Sequence, residues 1–118
     1  PRELLVVPVD PHPNAGACRV APEKVTRYLL DPDHSRGASK AAFFQRFGFT
    51  TASWRDLADA LREHAARQPV TKVVDTAYGQ RFLLQCRLTS PDGRDPCVVT
   101  VWQLGPDGEP FLVTAYPR

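Results

Sequence analysis

A histidine and a lysine lie close together where a helix should begin. The run from His34 to Ser39 combines a histidine with small residues, and Lys40 follows directly. Backbone N–H groups at a helix start bind anions, and the helix dipole disfavours a cation there unless an anion accompanies it. Histidine exchanges protons near neutral pH. The pattern indicates a phosphate site; the alternative is that Lys40 extends past Phe44 to water and His34 is a loop residue.

A second set of candidate residues lies on predicted strands in the C-terminal half. If the strand around Leu84 buries one face, Arg81 and Arg87 lie on its other face. The same alternation places Thr100, Trp102, Thr114 and Tyr116 outward in the last two strands, together with the apolar Leu112. Arginine binds phosphate with two N–H groups, and aromatic rings stack on bases. An ordinary solvated sheet face is the alternative, since arginine and threonine are common there.

Helices must position the first set. Pro22 suits a first helical turn, and residues 31–32, Asp-Pro, stop that helix. The second helix should begin within residues 35–37 and end at Phe47, with Gly48 as the residue that terminates it. Lys40 then lies in the first part of this second helix.

The third helix is predicted from its cap and its apolar spacing. Ser53 is the expected N-cap, with Asp56 completing a variant of the capping box. The apolar face continues through Leu61, and Pro69 lies just beyond the end of the helix. His64 follows on this face and is expected to be a histidine on the helix flank rather than a catalyst.

Four strands follow, because the apolar period changes from 3.6 to 2 after residue 69. They should cover residues 70–74, 80–89, 97–104 and 111–116. The expected inward residues are Phe82, Leu84, Cys86, Leu88, Val99, Val101, Phe111, Val113 and Ala115, with Leu112 outward. Short turns make neighbouring strands antiparallel. The predicted fold is α+β, with N-terminal helices packed on one face of an antiparallel sheet of about four strands.

Length and charge do not decide between three classes of function: a small enzyme, a binding module and a structural protein. The chain has 118 residues, which suits one domain, and 15 basic against 13 acidic side chains give a net charge of +2. Residues 1–21 are expected to be an irregular lead and residues 22–118 a single domain. No apolar run approaches the roughly 20 residues of a membrane span. HExxH, P-loop, GxSxG and GxGxxG motifs are absent, which argues against the enzyme classes that they mark.

Methionine and cysteine usage adds two expectations. The chain contains no methionine, not even at position 1, which predicts an excised domain or a processed fragment, with a trimmed start as the alternative. The strand-like run from Leu112 to the last residues favours the C-terminal domain of a larger polypeptide. Its cysteines, Cys18, Cys86 and Cys97, are odd in number and lack CxxC spacing. They therefore predict neither a disulfide framework nor a zinc site, and they favour a reducing compartment.

Short motifs across residues 22–118 resemble a family of small bacterial domains that often end large secreted polymorphic toxins. The motifs are Tyr28-Leu29-Leu30, His34, Gly37, Ser39-Lys40-Ala41, Tyr78-Gly79, Thr100-Val101-Trp102 and residues 112–117. The layout resembles the barnase, EndoU, colicin and RelE-like superfamily of metal-independent ribonucleases. The resemblance implies cleavage of RNA by attack of a ribose 2′-hydroxyl on the adjacent phosphate, with no cofactor and no metal.

The resemblance also implies roles for the candidate residues. His34 would be the general base or acid and Lys40 would stabilise the phosphorane, while Thr114 and Tyr116 would position the phosphate or assist proton transfer. The expected substrate-binding residues are Arg81, Arg87, Thr100 and the stacking residue Trp102. EndoU enzymes use two histidines, so Tyr116 or Lys40 must supply the second proton role here, unless the enzyme works in the RelE manner without a strong acid–base pair.

The implied partners are an RNA substrate, a cognate immunity protein and a larger precursor polypeptide. Binding to a membrane is not expected. The domain would be delivered from one bacterium and act in the cytoplasm of a target cell. Two other functions stay open at this point. One is a noncatalytic protein-binding module of immunity or adaptor type, and the other is a transferase-type toxin that acts on a nucleotide cofactor.

Overall fold

Helices come first in the chain and a sheet follows, as the apolar spacing predicts. The computed structural model describes residues 18–118, so the lead up to residue 17 lies outside the described residues. Helix α1 (Pro22–Lys24) continues directly into a π-helix at Val25–Leu29. Helices α2 (Ala38–Arg46) and α3 (Trp54–Arg67) follow.

The ends of the helices follow the sequence only in part. Gly48 adopts a φ of 100° after α2, as expected of the glycine that terminates a helix. Helix α2 begins at Ala38 because residues before it form a turn, in which the Gly37 N–H group bonds to the His34 carbonyl. Ser53 is the N-cap residue of α3, as predicted, but its side chain makes no capping hydrogen bond, so the expected capping box does not form.

Four antiparallel strands form one sheet in the order of the chain. They are β1 (Val70–Thr76), β2 (Gly79–Arg87), β3 (Cys97–Leu104) and β4 (Pro110–Pro117). The α+β fold class is therefore confirmed. Helix α3 packs on β2 and β3, whereas α2 contacts β4. The common core contains Phe44, Leu57, Leu61, Leu84, Trp102 and Leu112.

The orientation of β3 is opposite to the one predicted. Trp102 and Thr100 were expected to face outward, but both side chains are 0% exposed. The Trp102 Nε1–H group donates to Thr100 Oγ1 at 3.0 Å, and Thr100 Oγ1 lies 2.9 Å from His64 Nδ1. The polar atoms of Trp102, Thr100 and His64 can be buried because they form hydrogen bonds with one another.

Strand β4 contains a bulge that the alternation did not anticipate. Val101 pairs with Thr114 and Trp102 pairs with Leu112, so Val113 is the extra residue. Leu112, expected outward, is therefore buried, and Phe111, expected inward, is 39% exposed.

A disulfide joins β2 to β3, which corrects the expectation drawn from cysteine spacing. Cys86 and Cys97 lie on neighbouring strands, where Cys97 pairs with Arg87, the residue after Cys86. Cys18 is buried and lies outside this disulfide, and desolvation raises the pKa of its thiol to about 12. In residues 18–118 no helix is long and apolar enough to cross a membrane.

Candidate functional site

Tyr28 lies at the centre of the candidate site. It belongs to the π-helix, in which the Leu30 N–H group reaches five residues back to the Val25 carbonyl at 2.9 Å. Such wider turns recur at functional sites. The Tyr28 ring is half-buried, and its hydroxyl lies 2.9 Å from Thr114 Oγ1 on β4. This hydrogen bond connects the helical half of the chain to the sheet.

His34 contacts the edge of the Tyr28 ring. The two ring centroids are 5.0 Å apart in a T-shaped arrangement. Backbone N–H groups of Arg36 and Gly37 both donate to His34 Nδ1 at 3.0 Å. Because Nδ1 accepts both bonds, the neutral imidazole carries its proton on Nε2. His34 therefore offers an N–H donor from its other nitrogen.

Two ammonium groups flank the Tyr28 ring. Nζ of Lys40 and Nζ of Lys24 each lie 5.4 Å from the ring centroid. Lys40 Nζ also donates a hydrogen bond to the Arg36 carbonyl at 3.3 Å, which uses one of its three protons. Lys40 thus lies beside Tyr28 with donors left for a ligand.

The pKa of Tyr28 is lowered from its ordinary value. Desolvation by partial burial raises this pKa, but the hydrogen bond with Thr114 and the charges of Lys40 and Lys24 together outweigh it. A phenol with these neighbours ionises more readily than one in water. Tyr28 is therefore a candidate proton acceptor.

A cationic cavity opens beside this cluster. Its volume is about 610 Å³, and Tyr28, His34 and Thr114 line it. The wall also contains three cations and a single carboxylate: Lys24, Arg27, Arg36 and Glu23. Within residues 18–118 the guanidinium groups of Arg27 and Arg36 make no ion pair. Cations that lack an internal partner suit an anionic ligand.

Gly37 holds the loop that carries His34 against the π-helix. A Cβ atom at this position would lie 2.1 Å from the backbone oxygen of Tyr28, a distance that no real contact permits. The close approach therefore requires glycine.

Three of the four predicted catalytic residues meet at Tyr28, namely His34, Lys40 and Thr114. The fourth, Tyr116, lies two residues beyond Thr114 on β4 and is not in the cavity wall. Sequence reasoning missed Tyr28 as a site residue, because its spacing from Val25 reads as part of a buried stripe. The signal that could have identified it is its hydroxyl in an otherwise apolar set.

The predicted substrate-binding residues are dispersed. Arg81 lines a neighbouring cavity, and its Nε donates to Gln103 Oε1 at 2.8 Å. Arg87 lies at the other end of β2, where its Nη1 donates to the Asp95 carbonyl at 2.9 Å. The buried Thr100 and Trp102 side chains are out of reach of a ligand.

A different cavity has the opposite electrostatic character. It has a volume of about 310 Å³ and is lined by carboxylates of Asp56, Asp59 and Glu63. These charges repel phosphate, so this cavity does not suit the chemistry expected at Tyr28. In the described part of the chain, no group of three or more His, Cys, Asp or Glu residues could hold a metal ion.

The fold is similar to that of a solved toxin–immunity protein complex. That structure is described as a contact-dependent growth inhibition toxin–immunity protein complex from Klebsiella pneumoniae 342. The alignment has a TM-score of 0.67 and 16% identity, and it covers 84% of this chain and 98% of the other. At this identity the likeness shows a shared fold.

Comparison with curated proteins gives no match. The family described as a domain of unknown function, DUF6883, matches residues 12–118, which is most of the sequence. The chain therefore belongs to the DUF6883 family.

Proposed function

We propose that the chain is a domain of a bacterial toxin–immunity system and that the cationic cavity at Tyr28 cleaves RNA without a metal. The observation that carries the proposal is the convergence of His34, Lys40 and Thr114, from separate segments, on Tyr28. Tyr28, His34 and Thr114 line the cavity, and Lys40 lies beside the Tyr28 ring. The resemblance to metal-independent ribonucleases and the fold of the toxin–immunity structure support it.

Tyr28 is the residue best placed to accept the proton of the ribose 2′-hydroxyl. Its lowered pKa increases the fraction of phenolate, and Thr114 Oγ1–H can donate to that phenolate. As the proton moves to Tyr28, the 2′-oxygen bonds to phosphorus and the bond to the leaving 5′-oxygen breaks. This assignment gives the base role to Tyr28 rather than to His34.

Lys40 and His34 then act on the phosphate. Lys40 Nζ stabilises the charge of the phosphorane and supplies a proton to the leaving 5′-oxygen. His34 Nε2–H donates a hydrogen bond to a non-bridging oxygen, because Nδ1 is occupied by two backbone N–H groups. Arg27 and Arg36 attract the substrate through its charge.

The test is incubation of the chain with total bacterial RNA in EDTA. We expect discrete cleavage products from the parent chain and at least a hundredfold slower cleavage by His34→Ala and by Lys40→Ala. Lys72→Ala, which removes an exposed lysine on β1, is the matched control and should cleave at the parent rate. Equal rates for all variants would show that the site is elsewhere.

The biological setting of this activity is also a proposal. We infer delivery between bacteria as part of a larger precursor, action in the cytoplasm of the target cell and neutralisation by a cognate immunity protein. The structural neighbour supports a cognate partner, since it is a complex of a toxin with an immunity protein.

A second candidate function is a noncatalytic protein-binding module of immunity or adaptor type. The same structural neighbour supports this function at least as well as it supports the ribonuclease. Its description names both a toxin and an immunity protein, and the chain could correspond to either of them. Expression of the domain in bacterial cytosol separates the two functions. Growth inhibition that Lys40→Ala abolishes supports the ribonuclease, whereas unimpaired growth and protection against a cognate toxin support the binding module.

A further inference from the structure

A second cavity continues directly from the first. Its volume is about 350 Å³, and it shares Ala21, Lys24 and Val113 with the cavity at Tyr28. The shared wall makes the two cavities parts of one groove that follows β4. A ligand held at Tyr28 and longer than the first cavity would extend into the second.

Exposed aromatic rings line this second cavity. Tyr78, in the turn between β1 and β2, is 86% exposed, and Phe111 at the start of β4 is 39% exposed. In residues 18–118 the other large hydrophobic residue with comparable exposure is Val73, which is not in the cavity wall. Exposed aromatic rings beside cations are the arrangement on which unpaired bases stack.

A buried amide organises the polar side of the cavity. Gln103 is 4% exposed, and its Nε2 donates to the carbonyls of Tyr78 at 3.2 Å and Gln80 at 3.3 Å. Its Oε1 accepts the bond from Arg81 Nε. The amide therefore fixes the Tyr78 turn and one nitrogen of Arg81, and it leaves the two Nη groups of Arg81 for a phosphate.

We propose that this second cavity binds the nucleotide adjacent to the dinucleotide whose bond is cleaved in the first. Its base stacks on Tyr78 and Phe111, and its phosphate is bound by Arg81 and by the shared Lys24. The inference rests on the proposed function, since it takes RNA as the ligand of the groove. It narrows the substrate class to single-stranded RNA, because paired bases do not expose their faces.

The test compares ligands of two lengths. Binding of a 2′-O-methylated dinucleotide and of a 2′-O-methylated hexanucleotide, neither of which can be cleaved by 2′-hydroxyl attack, is measured by fluorescence anisotropy. We expect Tyr78→Ala to weaken hexanucleotide binding about five- to hundredfold and to leave dinucleotide binding unchanged. Phe111→Thr, which keeps a residue suited to a strand, should act in the same direction. Val73→Thr is the matched control and should change neither.

The outcomes separate this inference from the proposed function. Cleavage in EDTA combined with normal hexanucleotide binding by Tyr78→Ala overturns the second subsite and leaves the ribonuclease intact. Weakened hexanucleotide binding without any cleavage supports the subsite and contradicts the ribonuclease. If Tyr78→Ala impairs binding of an immunity protein but not of RNA, the aromatic surface is a protein interface and the inference is wrong. Equal affinity for double-stranded RNA also overturns it.

Discussion

The Tyr28 side chain packs against the hydrophobic core and also places a hydroxyl group near two ammonium groups. Its ring contacts His34 and two ammonium groups, while its oxygen is held by Thr114. A phenylalanine would keep the ring contacts and remove the oxygen. This position therefore allows the packing role and the proposed chemical role to be measured separately.

Tyr28→Phe should reduce RNA cleavage about a hundredfold or more, because it removes the proposed base. The free energy of unfolding should fall by only about 1 kcal/mol, the usual net value of one hydrogen bond. Single-turnover cleavage and urea unfolding measure the two effects. Tyr116→Phe makes the same chemical change two residues from Thr114. If it slowed cleavage while Tyr28→Phe did not, Tyr116 would be the acting tyrosine.

His64 makes stability depend on pH. The side chain is 2% exposed, and desolvation lowers its pKa from 6.5 to about 4, despite hydrogen bonds to the Cys86 and Val98 backbones that raise it. The native state therefore favours the neutral ring. Above pH 6.5 His64 is neutral in both the native and the unfolded state, and the native state keeps its full stability. As the pH falls from 6.5 towards 4, the unfolded state binds a proton that the native state does not. The free energy of unfolding therefore falls by about 3 kcal/mol over this interval.

Urea unfolding between pH 7 and pH 4 tests this expectation. The parent chain should lose stability over this interval more steeply than His64→Gln, which keeps polar atoms but does not titrate. Parallel curves for the two proteins would assign the acid sensitivity to other groups.

At the scale of elements, the loop before α2 determines whether the site exists. Gly37→Ala should destabilise the fold by roughly 2 kcal/mol and slow cleavage, because the added Cβ collides with the Tyr28 backbone and displaces His34. The φ of Gly37 is −96°, so alanine has no intrinsic backbone penalty there.

Gly93→Ala is the control for this variant. Gly93 has a φ of 80° and nothing within 4 Å of an added Cβ, so alanine there carries a backbone penalty without a collision. It should lower stability, measured by thermal unfolding, and leave cleavage of the folded fraction unchanged. A Gly37→Ala protein that folds and cleaves like the parent would contradict the positioning role of this loop.

The buried face of a strand was predictable where apolar residues alternate with polar ones, and it was not predictable where both faces carry apolar residues. Strand β2 alternates strictly, and its inward residues Phe82 and Leu84 are confirmed. Strand β3 carries valines in both phases, so its orientation depends on tertiary contacts. The hydrogen bond that Trp102 Nε1–H donates to Thr100 Oγ1 and the one between Thr100 Oγ1 and His64 Nδ1 belong to the inward orientation, and no local pattern encodes them.

The candidate site was predictable where a residue type stands out from its surroundings. His34 and Lys40 are such residues, whereas Tyr28 is hidden in an apolar stripe. The disulfide was missed for a related reason. Cys86 and Cys97 become neighbours only through the register of β2 and β3, which sequence spacing does not reveal.

At the scale of the whole molecule, the disulfide is expected to stabilise the sheet. It closes a loop with a sequence separation of 11, for which the chain-entropy estimate is about 3 kcal/mol. Urea unfolding with and without dithiothreitol should show this loss for the parent chain. The Cys86→Ala, Cys97→Ala double variant should not respond to the reductant. A reductant effect in that double variant would implicate Cys18 instead.

The net charge of +2 conceals an uneven distribution. Cations gather around the Tyr28 cavity, while Asp56, Asp59 and Glu63 line another one. A polyanion would therefore approach the molecule in a preferred orientation. A low net charge is compatible with a cationic groove because, within residues 18–118, all the acidic groups except Glu23 lie outside the wall of the Tyr28 cavity.

The two edges of the sheet differ in a way that bears on self-association. The outer edge of β4 is paired at the start of the strand, where Arg19 N–H donates to the Pro110 carbonyl and Leu112 N–H donates to the Arg19 carbonyl, both at 2.9 Å. The β1 edge is interrupted by an irregularity between Val70 and Lys72, and Lys72 adds an exposed charge. Charged, irregular edges resist the addition of further strands. In the described residues, each edge of the sheet therefore has a feature that disfavours edge-to-edge association.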